Sequence, residues 1–452
     1  MRSPVRGDAD NAGAVRKVMF GLMLAAMAAA GVPAGAQTAT PTAPTSAPPP
    51  TPLETPADAL AQDAVEYAKQ FSVPVAEAIR RLTAQQLSVP ITDELAEKYR
   101  DRLAGIAIEH TPVYRIIVYL AGEEPVREKM FKAGGFDVPI AFRTGARVTR
   151  DRVIWAMTWH QRDIRAALPR PPGIGLDPRT GELVVIVGPS DVRGSAADLK
   201  AKLETIAEVP VQLRILKQTD KNLDIAGGAR MEGTSPADGK RYICTSAFAV
   251  GDGTRTALTT AAHCLDNMNF RDPKRGVRPL EFLGQWGWGY RDVQLHGSAE
   301  PLPPAIYTDT EKTRLRPITG QRTRAATRAG DFVCHRGERT GYSCALVELT
   351  DFAPAGDICG GACLPTWVTV AGPSCKGGDS GSPVFSGTTA FGILKGGSYR
   401  GDGSCAFYFY MSVDYLPVGW SLLHAAPDGS YVPAYAPAPT YAGSPPPPTA
   451  KP

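Results

Sequence analysis

A serine set between glycines near the end of the chain, Ser380 in Cys375-Lys376-Gly377-Gly378-Asp379-Ser380-Gly381-Ser382-Pro383-Val384-Phe385, is the first place where chemistry is legible. Glycines on either side of a hydroxyl let the backbone approach a ligand closely and adopt conformations closed to other residues. Acyl transfer needs an accessible Ser Oγ with backbone N–H groups beside it to hold the developing oxyanion. A Gly/Ser turn between two strands uses the same residues, so a base and an acid must be found elsewhere. Thr259-Thr260-Ala261-Ala262-His263-Cys264 places a histidine at the end of an apolar strand. A metal at His263 would need three or four ligands, and none is spaced near it. The reading as a whole implies no metal and no organic cofactor. Arg291-Asp292-Val293-Gln294-Leu295 opens an alternating segment with an acid. A buried carboxylate there can hold the imidazole in the tautomer that accepts a serine proton. Asp266 and Asp272 lie in a polar, turn-like stretch and read as solvated, and His296 reads as a surface histidine.

The elements that must position these residues follow from composition. The chain has 452 residues, room for two or three domains, and its 43% apolar content is ordinary for a buried core. A formal net charge of +4 gives no reason to expect nucleic acid or an anionic membrane as partner. Arg2, Arg6, Arg16 and Lys17 precede the apolar run Val18 to Ala30, and Ala34-Gly35-Ala36 supplies small residues for cleavage, so residues 1–36 read as an export signal. The run is shorter than a spanning helix needs, and no later segment is long and apolar enough to cross a membrane. All eight cysteines (244, 264, 334, 344, 359, 363, 375 and 405) follow residue 240, which implies a disulfide-bonded domain in an oxidising compartment.

Residues 37–56 are Pro/Thr/Ala-rich and read as an extended linker. Residues 57–221 carry mixed helix and strand patterns. Val75, Ile79 and Leu82 mark one helix, Leu95, Tyr99 and Leu103 a second, and Val153, Met157, His160, Ile164 and Leu168 a third, with His160 a core histidine. Tyr114 to Leu120 reads as a strand, and Asp177-Pro178-Arg179-Thr180-Gly181 as the turn of a hairpin. Leu199, Leu203 and Ile206 form a helix face, and Val211, Leu213 and Ile215 alternate as a strand. Residues 222–424 change to short apolar strands between Gly, Asp and Asn turns, the texture of an all-β barrel or sandwich. Val413 to His424 suggests a short closing helix. Residues 425–452 form a Pro/Ala/Tyr tail, read as a disordered spacer.

The order His263, Asp292, Ser380 is that of the chymotrypsin-type triad. Residues 222–424 resemble the streptogrisin and alpha-lytic protease branch of the chymotrypsin-like serine peptidases. Ile225-Ala226-Gly227-Gly228-Ala229-Arg230-Met231 looks like the start of a mature enzyme of this type, and Val333-Cys334-His335-Arg336-Gly337 with Thr340-Gly341-Tyr342-Ser343-Cys344 like its disulfide-closed hairpin. Ile393-Leu394-Lys395-Gly396-Gly397-Ser398 looks like the strand that lines the specificity pocket. The resemblance implies an all-β fold of two six-stranded antiparallel barrels, with the triad between them. It implies oxyanion donors at the Gly378 and Ser380 amides, and substrate contacts at Ser374, Lys395, Gly396 and Gly397. The implied disulfides are Cys244–Cys264, Cys334–Cys344 and Cys375–Cys405, with Cys359 and Cys363 left for a local bridge. Residues 57–221 then resemble an α+β pro-region that assists folding and inhibits, through Leu176-Asp177-Pro178-Arg179-Thr180-Gly181-Glu182-Leu183-Val184-Val185. Slow folding of a barrel rich in non-local contacts gives such a helper a purpose.

The expected protein is therefore a secreted or periplasmic monomeric serine endopeptidase acting on polypeptides. The other reading is a non-catalytic or permanently inhibited binding protein on the same fold. Two positions depart from the pattern. Many relatives carry a serine where Lys395 stands. Lysine there can pair with a carboxylate, lie over the cleft and, with Lys376, favour acidic substrates, or face solvent. His335 takes the place of an arginine that pairs with the aspartate before the nucleophile, so His335 or Arg336 is expected to pair with Asp379.

Overall fold

The structure, a computed structural model, describes residues 52–216, 229–272 and 276–426, and the backbone of 220–222. The export signal 1–36, most of the linker, Ile225 to Gly228 and most of the tail lie outside the described residues.

The N-terminal region is α+β. Its first helix, Pro56–Phe71, begins where Thr55 caps it, with Thr55 and Asp58 closing a reciprocal capping box and proline at the first position. Helices Val75–Leu87 and Val89–Lys98 follow. The second of the expected helix faces is cut short, because Leu103 opens strand Leu103–Glu109 and pairs with Leu120. Sheet pairing there overrides a helical spacing. A four-stranded sheet runs in the order Leu103–Glu109, Arg115–Ala121, Phe136–Ala146, Lys129–Ala133. The third helical stripe divides at His160 into helices Arg150–Trp159 and Gln161–Ala166, leaving His160 half-buried at the junction. The hairpin Gly173–Asp177 with Glu182–Val187 forms as expected, and Val211–Ile215 joins it in parallel. On its other side that sheet gains Asp351–Ala353 from the C-terminal region.

The C-terminal region contains a closed ring of six antiparallel strands. Thr389–Tyr399 pairs with Pro383–Ser386, then in turn Phe332–Gly337, Gly341–Val347, Val368–Ala371 and Cys405–Ser412, which returns to Thr389–Tyr399. Val333, Val347, Val370, Phe391, Leu394 and Tyr408 are buried together there. The other half, where a second barrel is expected, forms two sheets among the described residues. It is a sheet of Arg241–Thr245, Arg230–Thr234, Asn269–Asp272 and Gly276–Pro279, and a second of Glu281–Trp286, Val293–Ser298, Thr256–Thr260, Ala249–Gly251 and Ser421–Leu422. No ladder joins the two among the described residues. The Cys244–Cys264 disulfide ties them instead, packed with Met231, Ala261 and Met268. The expected helix over Val413 to His424 is one 3-10 turn, Val413–Tyr415, followed by the strand Ser421–Leu422. Pro417 and Gly419 prevent anything longer.

The two regions share a core, with Ala64, Tyr67, Ala78 and Leu82 packed into the same apolar cluster as Phe332, Leu349 and Phe385. Polar ties run alongside. Gln85 accepts from the Phe332 amide at 2.6 Å and donates to its carbonyl at 3.1 Å, in the manner of a strand neighbour. Arg316, fully buried, reaches Glu54, Asp63 and Gln62. Asp351 is held by Arg150 from one region and Arg324 from the other.

His110 is a pH-sensitive member of this junction. Its Nε2 lies 2.7 Å from the Gly330 carbonyl and its Nδ1 2.7 Å from the Tyr67 hydroxyl. A carbonyl only accepts, so Nε2 carries the proton and Nδ1 accepts from tyrosine. Burial pushes the imidazole down to about 4, against a smaller lift from the Gly330 hydrogen bond. A histidine held neutral in the fold takes up a proton first in the unfolded chain, so its contribution is complete above pH ~6.5 and is lost as pH falls toward 4. The loss is on the order of 3 kcal/mol. Denaturant midpoints measured from pH 7 to 4 should fall less steeply for His110→Gln than for the native chain, and parallel curves would refute the assignment.

Candidate active site

The serine loop is built on backbone approaches that only glycine permits. Gly381 lies at φ +83°, and a Cβ there would collide with the Thr245 carbonyl and Thr260 Oγ1. The closeness matters, because the Ser380 carbonyl accepts from the Thr245 amide at 2.8 Å, fixing the serine between the two halves of the C-terminal region. Gly378 lies at φ +120° within a turn closed by the Asp379 amide donating to the Lys376 carbonyl at 3.1 Å. Ser382 donates back to the Asp379 carbonyl at 2.6 Å, which commits its own hydroxyl to the loop.

Asp379 is buried, and neither His335 nor Arg336 bonds to it, contrary to the expected pairing. Its carboxylate accepts from Thr340 Oγ1 at 2.8 Å and from the amides of Lys376, Arg339 and Thr340 at 3.0, 3.2 and 3.3 Å. His335 acts one step removed, with Nε2 3.2 Å from Thr340 Oγ1 and its ring edge-on to Tyr408. Arg336 turns toward the carbonyls of Asp309 and Thr310. Backbone amides therefore take the role expected of a cation. Gly337 lies so close to this carboxylate that any Cβ would strike it. Thr340 carried no separate signal in the sequence beyond its place in the hairpin.

His263 and Asp292 meet Ser380 in one hydrogen-bonded line. His263 Nε2 lies 2.8 Å from Ser380 Oγ, and Nδ1 lies 2.8 Å from Asp292 Oδ2. The His263 amide also donates to Asp292 Oδ1 at 3.2 Å, so the carboxylate grips both the backbone and the ring of the histidine. Cys264, beside the base, is bridged to Cys244. Asp292 is 1% exposed. Burial pushes its carboxyl up, but the charges of His263 and Lys395 outweigh burial and hold it at about 2. Asp266 is exposed on a turn and accepts from Gln285, away from this line.

Lys395 faces neither solvent nor an incoming side chain. It is 1% exposed, with Nζ 3.3 Å from Asp292 Oδ2 and 5.3 Å from the centre of the Trp367 ring. Burial lowers its pKa, offset in part by Asp292. His296, expected at the surface, is fully buried next to Phe282, and burial lowers it to about 4. The alternation that opens at Asp292 misleads there, because this sheet is covered on both faces and Val293, Gln294, Leu295 and His296 are all buried.

Two of the remaining expected contacts lie on the strand Thr389–Tyr399. Gly396 and Gly397 lie on it, and a side chain at Gly397 would run into the Cys375 sulfur of the Cys375–Cys405 bridge. Ser374 is exposed just before that bridge, its amide bonded to Ser343 Oγ at 3.2 Å. The chain's own Asp220–Asn222 forms a short antiparallel strand here, with Asn222 opposite Gly396, Lys221 opposite Gly397 and Asp220 opposite Ser398. Cys334–Cys344 and Cys359–Cys363 are also bridged, the latter around Gly360-Gly361-Ala362.

No protein-family model and no curated protein matches this chain. Among solved structures, the chain is similar to Thermobifida fusca Protease A, at 22% identity over 44% of this chain and 99% of that one, with a TM-score of 0.36. It is similar to Cellulomonas bogoriensis chymotrypsin at 20% identity over 44% of this chain and 99% of that one, TM-score 0.34. Nocardiopsis Protease (NAPase) gives 21% identity over 42% of this chain and 92% of that one, TM-score 0.33.

Proposed function

We propose that the chain is an exported serine endopeptidase of the chymotrypsin-like type, made with residues 57–221 as a pro-region. The observation that carries this reading is the unbroken line Asp292–His263–Ser380, with 2.8 Å at each side-chain contact. Ser380 Oγ attacks the peptide carbonyl as its proton passes to His263 Nε2. Asp292 keeps the Nδ1 proton in place and stabilises the imidazolium. The Gly378 and Ser380 amides receive the carbonyl oxygen as it takes up charge. His263 then gives its proton to the leaving amine, and water, activated by the same base, cleaves the acyl-enzyme. The Cys375–Cys405 bridge and the glycine pair 396–397 shape the wall that receives a polypeptide backbone.

The strand Asp220–Asn222 supports the inhibitory half of the reading. It pairs antiparallel with Gly396–Ser398, as a bound peptide would, and so occupies the groove a substrate needs. The same contact favours the second reading, a permanently inhibited binding protein, if the N-terminal region never leaves. The four disulfides suit export, and no helix among the described residues is long and apolar enough to cross a membrane.

The deciding measurement is the intact mass of the secreted protein before and after exposure to a fluorophosphonate. A product of roughly half the 48.0 kDa chain, trimmed near Ile225 and gaining one adduct on Ser380, is the expected result. A full-length product that gains no adduct would favour the inhibited binding protein.

A further inference from the structure

Asp292 is claimed by more than the histidine. Oδ1 accepts from the His263 amide, while Oδ2 lies 2.8 Å from His263 Nδ1 and 3.3 Å from Lys395 Nζ. An ammonium group in a dry interior is costly unless paired, and among the described residues Asp292 is the charged group that acts on Lys395. Other ionisable groups nearby face elsewhere. Asp379 turns to Thr340, Arg291 lies over the Tyr290 ring, and Asp266 is on an exposed turn. The adjoining strand Cys405–Ser412 offers Met411, whose sulfur accepts from the Asp292 amide at 3.3 Å, and the segment before Val368 offers the Trp367 ring.

We propose that Lys395 is a positioning residue that pins Asp292 Oδ2 and divides the carboxylate's charge between itself and His263, so that catalysis persists to lower pH than it would beside a neutral donor. A carboxylate facing one cation favours a protonated imidazole strongly. Facing two, it favours that form less, because the lysine charge both neutralises it and repels the imidazolium. The proposal rests on the serine protease reading for its catalytic meaning, but the charge sharing itself does not.

Two variants separate charge from hydrogen bonding. Lys395→Met keeps the bulk along Trp367 and removes both, while Lys395→Gln keeps a donor without the charge. Two readouts are taken on the secreted product of the native chain and of each variant. One is the pH profile of fluorophosphonate reaction at Ser380. The other is the pH at which the low-field proton resonance between His263 and Asp292 moves, which needs no turnover. In both variants the acid limb and the resonance transition should move up by about one pH unit. The plateau rate at higher pH should fall more for methionine than for glutamine, because only glutamine still pins Oδ2. Profiles and transitions that superimpose on those of the native chain would overturn the proposal. Labelling at Ser380 with unmoved transitions would sink the lysine role and leave the protease reading standing. A moved resonance with no labelling at any pH would do the reverse. If the methionine chain fails to fold, the glutamine chain carries the test alone, since the charge is absent from it too.

Discussion

On the serine peptidase reading, replacing Ser380 by alanine should lower peptide hydrolysis by about six orders of magnitude and leave the fold unchanged. The size of the loss follows from the geometry. The hydroxyl bonded to His263 Nε2 is that of Ser380, at 2.8 Å. Its neighbour Ser382 cannot substitute, because its Oγ donates to the Asp379 carbonyl and meets Thr245 Oγ1 at 3.1 Å. On that reading, removing the nucleophile would leave the groove and the Gly378 and Ser380 amides, which give residual acceleration over water. The fold survives because Ser380 anchors the loop through its backbone carbonyl, which alanine retains. Single-turnover hydrolysis of an activated amide substrate reads the rate, and circular dichroism reads the fold. A rate within tenfold of the native enzyme would mean that another group attacks, and the assignment of Ser380 would be withdrawn.

Arg316→Met is the substitution expected to cost most in stability, about 3–5 kcal/mol. The guanidinium is fully buried and lies 3.0 Å from Glu54, 2.7 Å from Asp63 and 2.7 Å from Gln62 Oε1. Asp63 also accepts from the Gly387 amide at 2.6 Å and from the Tyr342 hydroxyl. Burial alone would lower the guanidinium's pKa, but Tyr342, Asp63 and Glu54 together hold it above the ordinary arginine range. Taking away the cation leaves the buried Asp63 without its charged partner and Glu54 with only Arg314, at 3.4 Å, as a cation, and that loss exceeds the value of the pair itself. Guanidinium chloride unfolding gives the difference directly. Adding Glu54→Gln and Asp63→Asn to Arg316→Met should recover a large part of the loss. A single Arg316→Met chain as stable as the native one would show that the cluster contributes nothing to the junction.

Features with a local cause were legible in the sequence. The Ser380 loop could be read because its glycines answer a local need for positive φ and close approach. The hairpin around Pro178-Arg179-Thr180-Gly181 was visible for the same reason. Helix faces with an unbroken stripe, such as Leu199 with Leu203, formed as expected. Positions decided by distant partners were not legible. Leu103 continues a helical spacing but joins a strand, because Leu120 is there to pair with it. His296 looks like a surface residue by its neighbours but is buried because its sheet is covered on both faces. Lys395 could face solvent, the cleft or a carboxylate by sequence alone, and only the approach of Asp292, just ahead of the strand Val293–Ser298, decides among them. The partner of Asp379 was missed because three of its four donors are backbone amides, which every residue but proline carries.

Separating the N-terminal and C-terminal regions would tear the sheet in which Asp351–Ala353 lies against Gly173–Asp177. Gly173–Asp177 would keep Glu182–Val187 on one side and lose Asp351–Ala353 on the other. Gly173–Asp177, every residue of it buried in the intact chain, would become a sheet edge with a row of unpaired amides and carbonyls. Such an edge is a template for pairing with another copy. If the two regions were parted, the N-terminal piece would be expected to pair again with the strand it left or with another copy of itself.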